Sequence, residues 1–191
     1  KLAYALMMTV PGVPVIYQGD EQLFVEYRKS MFKGGYQSDT DHFDQQSDMY
    51  RYIQELANLR TANKVFTRGD IEIVQDNPIG PGILAFKRRY RSKVAYVVLN
   101  TSKTPTLLNR LVTPFTPTAA QPKVLMTKNF QAPLEFNQHG DLTQVMPANS
   151  LLIFMGEDGE LPEKSASENP AIEISHIKKK YVNISAAKVS G

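Results

Sequence analysis

The stretch at residues 5–22, ALMMTVPGVPVIYQGDEQ, decides the fold class of this chain. It opens with apolar, helix-tolerant residues, and Pro11 and Gly12 stop the helix because proline cannot continue one and glycine suits the turn that follows. Residues 13–17 are apolar without polar alternation, which is typical of a strand buried on both faces of a parallel sheet. Polar residues come next, at the strand end where α/β folds bind their ligands. The stretch predicts an α/β fold with a functional edge at residues 18–22.

The same stretch contains the pattern G-x-P-x-I-Y-x-G-x-E, which resembles the signature on the last barrel strand of α-amylase superfamily glycoside hydrolases. The structural motif residues are Gly12, Pro14, Tyr17, Gly19 and Glu21. Residues 50–63 are similar to the last barrel helix of that family, and residues 68–70 to the entry into its C-terminal β-domain. The resemblance implies that residues 1–66 are the C-terminal strand–helix portion of a catalytic TIM (β/α)8 barrel.

An amphipathic helix is predicted at residues 48–62. Its apolar residues recur at three- and four-residue steps, and Arg51 and Arg60 are among the residues of the opposite, polar side. The apolar residues are Met49, Tyr52, Ile53, Leu56 and Leu59. The resemblance places this helix on the outside of the barrel.

From residue 68 onward the pattern changes to short β-rich runs separated by Asn-Pro, Gly-Pro-Gly and Thr-Pro turns. The predicted strands are 71–74, 83–90, 93–100, 106–112, 123–127, 134–137, 142–146 and 150–155. They indicate an all-β antiparallel sandwich at residues 67–156, with the best core strands at 94–100 and 151–154. Because residues 67–156 supply a full set of strands and turns, we predict that this sandwich folds alone.

The end of the chain has a different composition. Residues 157–170 lose their hydrophobic residues and indicate a linker, and residues 171–191 indicate the start of a further, truncated β-module. Asn100 and Asn183 each begin a glycosylation sequon, a pattern that often occurs by chance.

Composition excludes several classes of protein. The 191 residues have ordinary hydrophobic and charged shares, no Cys, and a net charge of +3 from scattered cations. Disulfides and thiolate metal sites are therefore excluded, and nucleic-acid and membrane partners are not predicted. We expect no cofactor, and the family resemblance favours a bacterial extracellular or periplasmic protein.

The polar segment at residues 23–47 is predicted to be a loop of the kind that borders an active site. Asp39, Asp41, Asp44 and Asp48 could suggest calcium, but Phe43 stands where a third oxygen ligand belongs. Solvated turn residues are the favoured interpretation, with Asp44 or Ser47 capping the next helix. We also expect the three histidines to be surface or locally hydrogen-bonded residues: His42, His139 and His176.

The resemblance implies a complete enzyme that acts on α-1,4-glucans such as starch or maltooligosaccharides by a retaining mechanism. That mechanism needs two carboxyl groups at a short separation, and adjacent strand residues such as Asp20 and Glu21 face opposite ways. In the family the catalytic carboxylates lie upstream of Lys1, so we assign no catalytic residue and no metal site, and we predict that this fragment alone is inactive. The expected partners are an α-glucan and the missing N-terminal barrel portion.

Candidate substrate-binding residues are Arg28, Glu26 and Asp20. Residues 24–31 resemble the family's D-x-x-x-R-x-x-M sugar-binding loop, although Phe24 occupies the Asp position. A guanidinium fork can bond vicinal hydroxyls, and the alternative for Arg28 is a plain solvated arginine.

Two other functions remain open. One is a non-catalytic carbohydrate-binding or spacer module, which the absence of Trp disfavours and which exposed Tyr or Phe pairs on the sandwich would favour. The other is a transglycosylase or isomerase of the same superfamily.

Overall fold

The structure is a computed structural model that describes residues 1–26, 28–117 and 121–158. The predicted linker beyond residue 158, the predicted module at residues 171–191, His176 and Asn183 lie outside the described residues. None of the described helices combines the length and the apolar character needed to cross a membrane.

The helices are α1 (Leu2–Thr9), α2 (Asp48–Ala62) and α3 (Lys64–Arg68), with a single 3-10 turn at Asp20–Gln22. The bounds of α2 are those predicted from its periodicity, and its N-cap is Ser47, whose Oγ accepts a hydrogen bond from the backbone N–H of Tyr50 at 3.2 Å. The polar assignment of Arg60 is wrong, because its side chain is buried.

The strands are β1 (Asp70–Gln75), β2 (Ile83–Tyr90), β3 (Lys93–Asn100), β4 (Thr106–Val112), β5 (Lys123–Lys128), β6 (Asp141–Met146) and β7 (Ser150–Glu157). An antiparallel five-stranded sheet has the order β1-β2-β3-β7-β5, and β4 pairs with β6 in a second sheet. The antiparallel, β-rich character predicted from residue 68 onward is thus confirmed. The strand predicted at residues 134–137 is reduced to one bridge, from Phe136 to Leu142.

The two sheets enclose an aromatic core, as expected for a sandwich. The rings of Tyr96 and Phe154 stack with their centroids 5.1 Å apart, and Phe115 and Phe136 meet them edge-on or tilted. Such pairs add to the free energy gained by burying their area.

A layer of helices covers the other face of the five-stranded sheet. Leu56 of α2 and Phe66 of α3 share one hydrophobic cluster with Phe86, Val97 and Ile153 of the sheet. Strands β3 and β7 are therefore buried on both faces. This cluster joins residues on either side of the predicted domain boundary at residues 66–67, so that boundary stays a prediction from sequence.

The segment at residues 13–17 is not a strand in this structure. It pairs with no strand of the described residues, and Val13, Val15 and Tyr17 are 89%, 72% and 77% exposed. The expected buried strand is absent because a strand needs a neighbour to satisfy its backbone and a second layer to cover its apolar side chains.

Candidate functional site

Two buried arginines hold the backbone where α1 ends. Arg60 donates to the carbonyl oxygens of Met8 at 2.7 Å, Val10 at 3.0 Å and Gly12 at 2.6 Å. Arg88, only 1% exposed, donates in the same way to three further carbonyls. Its acceptors are the carbonyl oxygens of Thr9, Gly69 at 2.7 Å and Asp70 at 3.2 Å.

Carbonyl oxygens at a helix C-terminus carry partial negative charge, so cations suit this position. Burial lowers the pKa of both guanidiniums, and the nearby charge of Arg60 lowers the pKa of Arg88 further. Sequence reasoning missed this pair because the acceptors lie far away along the chain. The pair fixes the point from which the motif at residues 12–21 departs.

A tight turn at Asp20–Gln22 ends that motif, and its two carboxylates bind backbone N–H groups. Asp20 Oδ2 accepts from Tyr17 at 2.9 Å, and Glu21 Oε2 accepts from Gly19 at 3.2 Å. Burial and a hydrogen bond to Asp20 raise the pKa of Tyr4 to about 12. The carboxylates of this turn therefore have structural partners.

Gly19 is required at this turn. Its φ is +93°, and a Cβ there would lie 2.8 Å from Cβ of Phe24. The Gly19 carbonyl accepts from the N–H groups of Gln22 and Phe24, both at 2.9 Å. The turn thereby directs the chain into the loop at residues 23–47, called the rim loop below.

The rim loop is closed at its base by side-chain contacts. Gln22 Nε2 donates to the carbonyl of Asp44 at 3.2 Å, and the Asp44 N–H donates to Gln22 Oε1 at 3.0 Å. Ser47 Oγ donates to the carbonyl of Glu21 at 3.1 Å. Inside the loop, Met31 is 1% exposed and its carbonyl accepts from the His42 N–H at 2.8 Å.

Three of the four aspartates considered above as calcium ligands have other partners. Asp41 accepts from the Lys33 N–H at 2.6 Å, Asp44 accepts from the Gln46 N–H at 2.8 Å, and Asp48 pairs with Lys1 at 3.0 Å. Within the described ranges, no group of three or more His, Asp or Glu side chains is placed to hold a metal.

The structure places the substrate-binding candidates on this loop and its turn. Arg28 is exposed with a φ of +65°, and Glu26 Oε2 lies 3.0 Å from Lys29 Nζ. Asp20 lies at the turn described above, several residues before Arg28 in the chain.

Exposed aromatic side chains accompany these residues. Among the large hydrophobics exposed in the described structure, the aromatic ones all belong to residues 17–43, and those of the β-domain are all aliphatic. The four exposed aromatics are Tyr17, Phe32, Tyr36 and Phe43. The rim loop thus offers a cation, amides, hydroxyls and rings to a ligand, which are groups that suit a sugar.

The sequon at Asn100 is inaccessible in the folded chain. Asn100 is fully buried, and its Nδ2 donates to the carbonyls of Thr104, Met146 and Pro147 at 2.9 to 3.0 Å. Its amide is therefore a structural link between strands.

Comparisons with known proteins agree with the fold. No family model matches the chain. A cyclomaltodextrin glucanotransferase of Bacillus sp. (strain 38-2) is 31% identical over 116 residues, which are 58% of this chain and 15% of that protein. An amylopullulanase of Thermoanaerobacter thermohydrosulfuricus is 30% identical over 112 residues, covering 52% of this chain and 7% of that protein.

Among solved structures, an Anoxybacillus α-amylase superposes with a TM-score of 0.57 at 18% identity, covering 84% of this chain and 32% of that chain. This likeness concerns the fold. The chain matches less than a sixth of the length of these curated relatives.

Proposed function

Because this chain corresponds to the C-terminal part of an α-amylase-superfamily enzyme, we propose that the complete protein acts on α-1,4-glucans such as starch or maltooligosaccharides. The observation that carries the proposal is the turn at residues 20–22. Both of its carboxylates accept hydrogen bonds from backbone N–H groups, and it leads into the rim loop with the exposed Arg28. The matched relatives support it, since their names refer to a glucanotransferase and an amylopullulanase.

In this proposal residues 1–66 belong to a (β/α)8 barrel whose other strands lie outside this chain. The exposed apolar segment at residues 13–17 supports that assignment, because Val13 and Val15 leave a large apolar surface in water that a neighbouring strand and helix would cover. The β-domain then serves as the support on which α1, α2 and α3 are packed.

The reaction proposed is hydrolysis of a glycosidic bond with retention of configuration, which needs a nucleophile and an acid/base carboxyl about 5 Å apart. Asp20 and Glu21 accept hydrogen bonds from backbone N–H groups in the rim turn, so we assign both to structure. The catalytic pair is placed outside this chain.

A second candidate is transfer to a sugar acceptor in place of water, which the glucanotransferase relative favours. The two reactions share the covalent intermediate and differ in what attacks it. Chromatography of the products from maltoheptaose separates them, since hydrolysis gives only shorter linear chains. The sandwich offers no exposed aromatic side chain among its described residues, so a binding-module function has no specific support.

The 191-residue chain alone should not hydrolyse a chromogenic maltooside, because we place its catalytic carboxyl pair elsewhere. The measurement is release of the chromophore by purified chain, compared with a preparation from cells that lack the gene. Release above that background would contradict the assignment of the catalytic groups.

Arg28→Ala in the complete enzyme should lower kcat/KM on maltooligosaccharides by two or more orders of magnitude, equivalent to about 3 kcal/mol of transition-state stabilisation. The reason is that a guanidinium on the rim can donate paired hydrogen bonds to sugar hydroxyls. Thermal stability should change little, since the side chain is exposed.

Arg91→Ala is the matched control. Arg91 is also exposed and has a φ of +54°, so the same substitution has the same backbone consequence there. Equal kinetics for both variants would assign Arg28 to the solvated surface.

A further inference from the structure

The rim loop contains a tight hairpin at residues 30–38. The Ser30 N–H donates to the Tyr36 carbonyl at 3.0 Å, and the Tyr36 N–H donates to Ser30 Oγ at 2.9 Å. At the tip, the Gly35 N–H donates to the Phe32 carbonyl at 3.2 Å. These bonds fix the backbone that carries two exposed rings.

The two rings are Phe32, 53% exposed, and Tyr36, 65% exposed. One edge of the Phe32 ring approaches Gly35, where an added Cβ would come within 2.9 Å of Phe32 Cε2. Gln37 Nε2 donates to the Tyr36 hydroxyl at 3.3 Å. Both rings therefore have a contact that limits their movement while a large part of each stays in water.

The hairpin is also anchored to the rest of the loop. Met31, between Ser30 and Phe32, is 1% exposed, and Ser38 is 6% exposed with its Oγ donating to the Thr40 carbonyl at 2.9 Å. The Lys33 N–H is bound by Asp41. Pre-ordering of this kind lowers the entropy lost when a ligand binds.

We propose that Phe32 and Tyr36 form a stacking platform for glucose units of an α-glucan, beyond the contact assigned to Arg28. A pyranose ring has an apolar C–H face that covers an aromatic ring and hydroxyls around its edge that need donors and acceptors. Lys33 and Gln37 follow the two ring residues directly in the sequence, are exposed, and can supply those polar contacts.

A protein surface is the competing occupant. The exposed apolar residues best suited to bind a protein are aliphatic. They are those of residues 13–17 and Val25, and all of them lie outside the hairpin. The aromatic character of the hairpin and its polar surroundings favour a sugar, and the inference rests on the proposed function for its choice of α-glucan.

The test titrates the 191-residue chain with maltoheptaose and follows the aromatic NMR resonances. Saturable shifts are expected at Phe32 and Tyr36. Phe32→Leu keeps the side chain apolar but removes the ring, and should raise the Kd about tenfold, a change of about 1.4 kcal/mol. Phe32→Tyr keeps the ring and should stay within about twofold of the original Kd.

Leu107→Ala is the control, because Leu107 is 50% exposed, about as much as Phe32, but lies on β4 outside the rim loop. It should bind as the unsubstituted chain does. The inference is overturned if the rings show no saturable shift, or if Phe32→Leu leaves the Kd unchanged. Product formation from maltoheptaose by the unsubstituted complete enzyme is measured separately, so failure of the platform and failure of the proposed function are distinguishable.

Discussion

Arg88→Met should destabilise the folded chain by about 3 kcal/mol or more. The substitution keeps an apolar stem of similar length but removes the donors for the carbonyls of Thr9, Gly69 and Asp70. A buried carbonyl left without a partner costs about 1–3 kcal/mol. Since the residue is 1% exposed, water cannot readily replace the guanidinium.

Urea unfolding measures this effect. With an m-value of about 2 kcal/mol/M, the midpoint should fall by about 1–2 M. Arg89→Met is the control, because Arg89 is the next residue of the same strand and its ion pair with Asp158 is partly exposed. That variant should lose no more than about 1 kcal/mol. Equal midpoints for the two variants would show that the Arg88 contacts contribute little.

The boundaries of most elements could be predicted from local pattern. The amphipathic period of α2 and the turn signals between β2, β3 and β4 depend only on neighbouring residues, and the structure confirms them. The strand expected at residues 134–137 failed because an apolar run forms a strand only where a neighbour has free backbone groups. Phe136 instead forms a single β-bridge with Leu142, and its ring packs in the aromatic core.

The helix layer over the five-stranded sheet is predictable from the strand pattern. Lack of polar alternation indicates burial on both faces, and it gives the wrong result at residues 13–17, which the structure leaves exposed. The same lack of alternation occurs in β3 and β7, and there the structure does cover both faces, with the second sheet on one side and the helices on the other.

The candidate site was predictable only in part. The polar, glycine-containing composition of residues 23–47 predicts the rim loop. Ser47 is of a residue type that commonly caps helices, and it is the N-cap of α2. The roles of Arg60 and Arg88 could not follow from local pattern, because their acceptors at and just after the end of α1 lie 48 to 52 and 79 residues away. The exposure of Phe32 and Tyr36 depends likewise on the hairpin's own hydrogen bonds.

A chain reduced to residues 68–158 should fail to unfold cooperatively, which replaces the expectation that the sandwich folds alone. Removing α1, α2 and α3 exposes six side chains of the five-stranded sheet that are now no more than 1% exposed. They are Phe86, Ala95, Val97, Leu99, Leu151 and Ile153. At about 1.5–3 kcal/mol for each large side chain, their burial contributes about 10 kcal/mol, which is as large as the whole stability of an ordinary domain.

The control is a chain of residues 1–158, which keeps every described helix and strand. It should give a single urea transition, whereas residues 68–158 should bind a hydrophobic dye and unfold gradually. A cooperative transition of the shorter chain at the same midpoint would contradict the prediction. It would mean that the aromatic core between the two sheets stabilises the β-domain by itself and that the helices only rest on its surface.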